Sequence, residues 1–400
     1  MTGNDAALIQ DPMAIFAYLT AIVGILFMLS TIDNKFLNKL FRYAPPLIWM
    51  YFLPMISTTF GIIPQSSDLY SFLGTYILPA GLLLLMIGAN VPATLKLGGK
   101  AIVLFLAGTV GVVIGGPIAF ALFQGILPED AWRGVGALAG SWIGGTGNMG
   151  AMIETFRTPE DILSPVILTD TLVGISWMGV MIALANFQNK FNTWNGADNS
   201  TIKRVNEDIA TDMQRNVKPL QLPQLFGILG IGMAGSYIIR VFAGMDFLPK
   251  SDIMSTSTWS FIIITAVGIA LSFTKVRNLE YYGASKIGYL GIFLYLTGIG
   301  AQANLADIVQ SPQFLLMGVV WLSIHILCIF GAARLLKAPL FFVAVGSQGN
   351  IGGTSSAPIV ASVFQPALAP IGLLMGILGN VVGIYAALLC GQLAKMIAGG

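Results

Sequence analysis

Two polar, glycine-rich segments, Gly140-Ser-Trp-Ile-Gly-Gly-Thr-Gly-Asn148 and Gly346-Ser-Gln-Gly-Asn-Ile-Gly-Gly-Thr-Ser-Ser356, interrupt apolar runs at corresponding places in the two halves of the chain. In a bilayer, non-helical backbone survives only where protein buries it or where it lines a watery cavity, because hydrocarbon offers no partner to a free N–H or C=O. A pair of such breaks, one per half, points to the binding site of a secondary transporter. The membrane premise rests on composition. Of 400 residues, 56% are hydrophobic and 10% charged, whereas a soluble domain carries about 25% charged residues. The 47 glycines suit transmembrane bundles, in which small residues let helix backbones approach. A net charge of +2 without a basic cluster gives no footing for nucleic acid. Cys328 and Cys390 sit in apolar runs and read as buried packing rather than a disulfide. Met1–Asp5 lacks the basic region of a secretory signal, so the first apolar run is expected to remain in the mature chain.

Stretches of roughly 20 apolar residues mark spans. They fall at about 13–31, 45–63, 70–89, 101–124 and 163–187 in the first half, with the broken segment 134–155 between the last two. The second half offers 222–243, 257–274, 285–303, 314–333 and 367–394, with its broken segment at 340–362. Basic residues mark cytoplasmic loops: Lys35, Lys39 and Arg42, then Lys96 and Lys100, then Lys275, Arg277 and Lys286, then Arg334 and Lys337. Placing them inside puts the N-terminus outside and the polar stretch between the halves inside. Five full spans per half satisfy this only if each broken segment enters and leaves on one side, as a re-entrant hairpin. A crossing helix unwound at mid-membrane is the competing geometry.

The halves repeat. Ile87-Gly-Ala89 returns as Ile299-Gly-Ala301, Ile143-Gly-Gly-Thr146 as Ile351-Gly-Gly-Thr354, and Val173-Gly-Ile175 as Val382-Gly-Ile384, at offsets of 212, 208 and 209 residues. The loop after the first Ile-Gly-Ala is basic and the loop after its counterpart is not, so the repeats are inverted, with a site expected at their interface. The expected organisation is an N-terminal repeat over 1–188, a polar cytoplasmic linker over 189–219 and a C-terminal repeat over 220–400. The fold class is all-α integral membrane protein, each repeat holding about five transmembrane helices and one glycine-rich hairpin.

Gly145-x-Gly147-x-x-Gly150 matches a dinucleotide fingerprint only formally, because no strand or βαβ unit surrounds it. Glycines that release a helix instead expose N–H groups suited to an anion and carbonyls suited to Na⁺. On that ground the substrate-binding set is Ser141, Gly144, Gly145, Thr146, Gly147 and Asn148 from the first break. From the second it is Ser347, Asn350, Gly352, Gly353, Thr354, Ser355 and Ser356. Asp170 lies inside an apolar span, where a carboxylate costs about 2.5–3.5 kcal/mol to insert and marks function by default. It is expected to hold the coupling ion, Na⁺ or a proton, with Thr146, Asn148, Ser355 and Asn380, the last standing opposite Thr171 in the repeat. Glu154 reads either as a mouth salt bridge with Arg157 or as a ligand, and Arg133 as a loop residue. His325 reads as a hydrogen-bonded packing histidine, with a proton relay as the alternative. One histidine, two separated cysteines and no carboxylate cluster give a transition-metal site no support, and no nucleophile–base constellation points to an enzyme.

The Gly-Gly-Thr elements between the fourth and fifth spans resemble the Gly-Gly-x-Gly re-entrant loops of the sodium–glutamate and 2-hydroxycarboxylate symporters. Gly144-Gly-Thr-Gly147 fits that pattern, whereas Gly352-Gly-Thr-Ser355 departs from it at its last position. Over nearly all of its length the chain looks more similar still to the YjcL-like bacterial membrane proteins, a family of unknown function. The resemblance implies a bacterial cytoplasmic-membrane protein with hairpin tips meeting at mid-membrane and a mobile core moving past a dimeric scaffold. The expected activity is Na⁺-coupled symport of a small organic anion, amino acid or short peptide by elevator-type alternating access, without a cofactor. A cation/proton antiporter using Asp170 is the alternative.

Overall fold

The computed structural model describes residues 7–43, 46–89, 91, 98–197, 218–250, 255–303, 312–364 and 368–399. Most of the expected linker (198–217), with Lys96 and the loop 304–311, lies outside them. Among the described residues every regular element is helical: α1 (Pro12–Thr31), α2 (Lys35–Tyr43), α3 (Pro46–Thr59), α4 (Asp68–Gly88), α5 (Gly99–Phe123), α6 (Ala131–Gly144), α7 (Thr146–Phe156), α8 (Glu160–Leu184), α9 (Gln188–Asn195), α10 (Leu222–Ala243), α11 (Thr256–Ser272), α12 (Ala284–Gln302), α13 (Gln313–Leu335), α14 (Leu340–Asn350), α15 (Gly353–Phe364) and α16 (Ala369–Ile397). Eight described helices are long and apolar enough to cross a membrane. Two expected spans are shorter than that. α3 has 14 helical residues, roughly 21 Å at 1.5 Å per residue, and α11 runs into a 3₁₀ segment, Lys275–Tyr282, that turns away by 93°. A π-helical turn, Leu73–Ile77, interrupts α4.

Each glycine-rich break separates two helices that fold back on one another. The backbone of Gly145 has φ +84°, a conformation that strains any residue with a Cβ, and it ends α6 and starts α7. Gly136 faces the ring of Phe156 and Gly140 faces Asn148 and Met152, so α6 and α7 run antiparallel. Their base is closed by the edge-on contact of Trp132 with Phe156 at 5.8 Å. There Arg133 Nη1 donates to the Phe156 carbonyl at 2.6 Å, so Arg133 is a helical residue that staples the base, not a loop residue. In the second break Gly352 and Gly353 have φ +121° and +59°. Phe341 meets Phe364 at 5.8 Å, and Ser356 Oγ donates to Gln348 Oε1 at 2.8 Å, so α14 and α15 form a second antiparallel pair.

α16 binds the two hairpins together. Its glycines Gly372, Gly376, Gly379 and Gly383 lie at spacings of three and four residues, one face of a helix. A Cβ on Gly379 would fall 2.5 Å from the Ile143 carbonyl of one hairpin and 2.7 Å from the Gly349 carbonyl of the other. Bare backbone is the only surface that fits between them. α5, α8 and α13 complete this block, whereas α3, α4, α11 and α12 pack mainly on each other and meet the block along α7, α8 and α16.

Candidate functional site

The hairpin tips touch. A Cβ on Gly353 would lie 3.4 Å from the Gly144 carbonyl and 3.5 Å from Gly145 Cα. Two cavities flank this contact and share Gly145, Thr146, Gly352 and Leu47 as their common wall. The smaller, of about 160 Å³, is lined by Ser141, Asp170, Thr171, Gln348 and Ser356, with Leu47, Ile48 and Tyr51 of α3 closing it. The larger, of about 460 Å³, adds Gly144, Gly147, Thr354, Asn380, Tyr289 and Lys286. Among the described residues, Asp170 is the only charged one lining the smaller cavity and Lys286 the only one lining the larger. The two charges therefore stand on opposite sides of the tips.

Asp170 is held by the first hairpin. Its Oδ1 accepts from Trp142 Nε1 at 3.0 Å, and the Ser141 side chain also bonds it. Both donors sit on the last turn of α6, so the first hairpin orients the carboxylate toward the cavity. No cationic side chain lies within 4 Å of Asp170 among the described residues. Across the tips, the Tyr289 hydroxyl bonds Thr354 Oγ1 and the Asn380 side chain, tying α12, α15 and α16 into one polar cluster. α7 also begins here. Asn148 and Met149 both donate to the Gly145 carbonyl at 3.1 Å, while helix geometry leaves Thr146 and Gly147 N–H without an intrahelical acceptor. The positive end of a helix dipole thus faces the tip.

The sequence-derived site set divides on this geometry. Ser141, Gly145, Thr146, Asp170, Gly352 and Ser356 line the smaller cavity, and Gly144, Gly147, Thr354 and Asn380 the larger. Gly353 serves as the spacer between the tips. Asn148 is buried and its Nδ2 donates to the Gly379 carbonyl at 3.4 Å, which binds it to α16 rather than to a cavity. The side chain of Ser355 lies outside the described ones. The five residues grouped for the coupling ion are therefore not one cluster: Asp170 and Asn380 face different cavities, and only Thr146 lines both.

Ser347 and Asn350 are turned away from both cavities. Asn350 Nδ2 donates to the Phe105 carbonyl at 2.9 Å and its Oδ1 accepts from Thr109 at 2.8 Å, anchoring the second hairpin to α5. Ser347 stands between Trp177 and His325, each at 2.8 Å. His325 Nδ1 lies 2.9 Å from the Gly108 carbonyl. A carbonyl only accepts, so Nδ1 carries the proton and Nε2 accepts from the Ser347 hydroxyl. The chain Trp177 N–H to Ser347 O–H to His325 to Gly108 joins α8, α14, α13 and α5, and every member is satisfied. His325 is a packing histidine in this arrangement. Glu154 makes no pair with Arg157; its Oε1 accepts from Tyr295 of α12 at 3.2 Å, because α7 presents this face to α12 rather than to the hairpin mouth.

Several site residues carried no sequence signal that singled them out. Trp142 and Gln348 lie inside the two breaks but read as ordinary members of them. Tyr289 and Lys286 stand more than 50 residues from either break, and only the packing of α12 brings them to the tips.

All-helical, with many spans and paired glycine hairpins, the chain belongs to the class of multi-pass integral membrane proteins. A family model described as "Protein of unknown function (DUF819)" matches residues 17–397, and the chain belongs to that family. The uncharacterized membrane protein YjcL of Bacillus subtilis (strain 168) is a relative, 25% identical over 347 residues that cover 84% of this chain and 87% of that protein. The resemblance to the YjcL-like membrane proteins, read over nearly the whole chain, holds at the family level.

Proposed function

We propose that the protein is a secondary active transporter of the bacterial cytoplasmic membrane, a Na⁺-coupled symporter of a small organic anion, amino acid or short peptide. One observation carries the reading: two helical hairpins meet at bare-glycine tips beside a cavity into which a mid-span carboxylate, Asp170, is aimed. Intramembrane carboxylates are costly and mark ion paths. Broken helices converging from two repeats are where transporters bind substrate and ion.

In this reading the hairpins are re-entrant and the series α1, α3, α4, α5, hairpin, α8 is repeated with inverted topology by α10, α11, α12, α13, hairpin, α16. Residues 1–188 and 220–400 are then the two repeats, joined by a cytoplasmic linker over 189–219. The N-terminus lies outside. Lys286 then stands at the cytoplasmic end of α12, and both cavities are reached from the cytoplasm. The block of α5, α8, α13, α16 and the hairpins moves past a scaffold of α1, α3, α4, α10, α11 and α12. A homodimer forms through that scaffold, where α10 presents Phe226, Tyr237 and Ile238 outward. No cofactor takes part.

The test is uptake by the purified protein in liposomes under an inward Na⁺ gradient, with a panel of labelled carboxylates and amino acids. At least one solute accumulates under the Na⁺ gradient and not under a K⁺ gradient. Cation movement driven by a pH gradient, with no solute accumulated, contradicts symport and favours exchange of a cation for protons at Asp170.

A further inference from the structure

We infer that Gln348 is the substrate-recognition residue of this site and that the substrate end it receives is a carboxylate, bound only together with Na⁺ at Asp170. The inference rests on the transporter reading and assigns its ligand class. Gln348 is fully buried and lines the smaller cavity with Asp170. Ser356 Oγ donates to its Oε1 at 2.8 Å, which leaves Nε2 as the unpaired end of the amide. Nε2 has no acceptor among the described residues. A buried donor left unmade is destabilising, and a site built to donate to a ligand rejects analogues that cannot accept.

The two breaks sharpen the assignment. Gly140-Ser-Trp142 and Gly346-Ser-Gln348 open the two breaks, at an offset of 206 residues against 208 for the Gly-Gly-Thr elements that follow. Trp142 spends its N–H on Asp170 at 3.0 Å, whereas Gln348 keeps two N–H groups uncommitted. Its neighbour in the cavity wall Thr146 opens α7, whose first amides also want an acceptor, whereas the Gly145 N–H is spent on the Ser141 carbonyl. The cavity therefore offers several donors and one carboxylate. A carboxylate ligand facing those donors stands close to Asp170, a like charge, and no cationic side chain among the described residues lines the cavity. A cation at Asp170 removes that repulsion, so ion and anion enter as a pair, each raising the affinity of the other by the same factor. A cavity of about 160 Å³ suits a small anion.

The experiment measures binding by thermal shift and calorimetry on the full chain in detergent, in NaCl and in choline chloride. The probes are acetate, lactate, glycine and L-alanine, with acetamide, lactamide, glycinamide and L-alaninamide as uncharged-end counterparts. At least one acid stabilises the protein in NaCl and not in choline chloride, and its amide does not. Gln348→Met, nearly isosteric and without donors, weakens that acid by roughly 10- to 100-fold, the range for a hydrogen bond to a charged group. Gln348→Glu, which keeps the acceptor for Ser356 but opposes the ligand with a charge, abolishes its binding. Ligand-free melting and monodispersity report whether each variant folds, and either variant alone suffices. Equal binding of acid and amide, or an unchanged affinity in Gln348→Met, overturns the assignment. Na⁺ stabilisation with no acid effect overturns the carboxylate class but leaves the ion site; absence of both removes the transporter reading itself.

Discussion

Under the proposed transport, replacing Gly379 by leucine lowers uptake by about tenfold or more in a protein that still inserts in the membrane. The reason is steric. The first added carbon would already stand 2.5 Å from the Ile143 carbonyl and 2.7 Å from the Gly349 carbonyl, and both are backbone atoms that no rotamer can move aside. The hairpins must part or α16 must withdraw, and either change opens the contact between Gly144 and Gly353 that forms the common wall of the cavities. Overpacking of this kind costs about 1–3 kcal/mol or more, enough to lower uptake by roughly tenfold or beyond, since each 1.4 kcal/mol is a factor of ten. Gly331, exposed on α13 with nothing within 4 Å, is the matched control: the same substitution there leaves uptake within about twofold, as expected for a surface change. Equal uptake by both variants would separate the glycine face of α16 from function.

Asp170→Asn removes Na⁺ dependence while preserving the fold. Asparagine keeps an oxygen for Trp142 Nε1 and for Ser141, so the last turn of α6 stays tied to α8. The carboxylate charge is lost. Deleting one partner of a buried ion pair costs about 3–5 kcal/mol, so the Na⁺ concentration for half-maximal stimulation rises by more than roughly 100-fold. Uptake measured against Na⁺ concentration checks this. A variant that retains Na⁺ stimulation would move the ion away from Asp170.

Much of the architecture is readable in the residues themselves. The run expected at 222–243 is α10, Leu222–Ala243, and that at 285–303 is α12, Ala284–Gln302, because apolar length marks a membrane helix directly. Both breaks fall at Gly-Gly pairs, where positive φ stops a helix. What could not be read is which way a polar residue points in a helix buried all round. Such a helix has no hydrophobic face to set its rotational phase. Ser347 and Gln348 are neighbours in sequence, yet one is spent on Trp177 and His325 while the other faces the cavity. Lys286 and Tyr289 reach the tips only through the close pairing of α4 with α12, where Gly81 and Gly288 face each other. The shortness of α3 escaped as well, because its apolar run continues past the point where hydrogen-bonded helix ends at Thr59.

The most direct test of the central claim is the melting temperature of the purified wild-type chain in NaCl, LiCl, KCl and choline chloride at equal ionic strength. Binding at Asp170 predicts a rise selective for Na⁺ that grows with the logarithm of its concentration above the dissociation constant. Melting that is the same in all four salts would contradict a Na⁺ site between the hairpin tips.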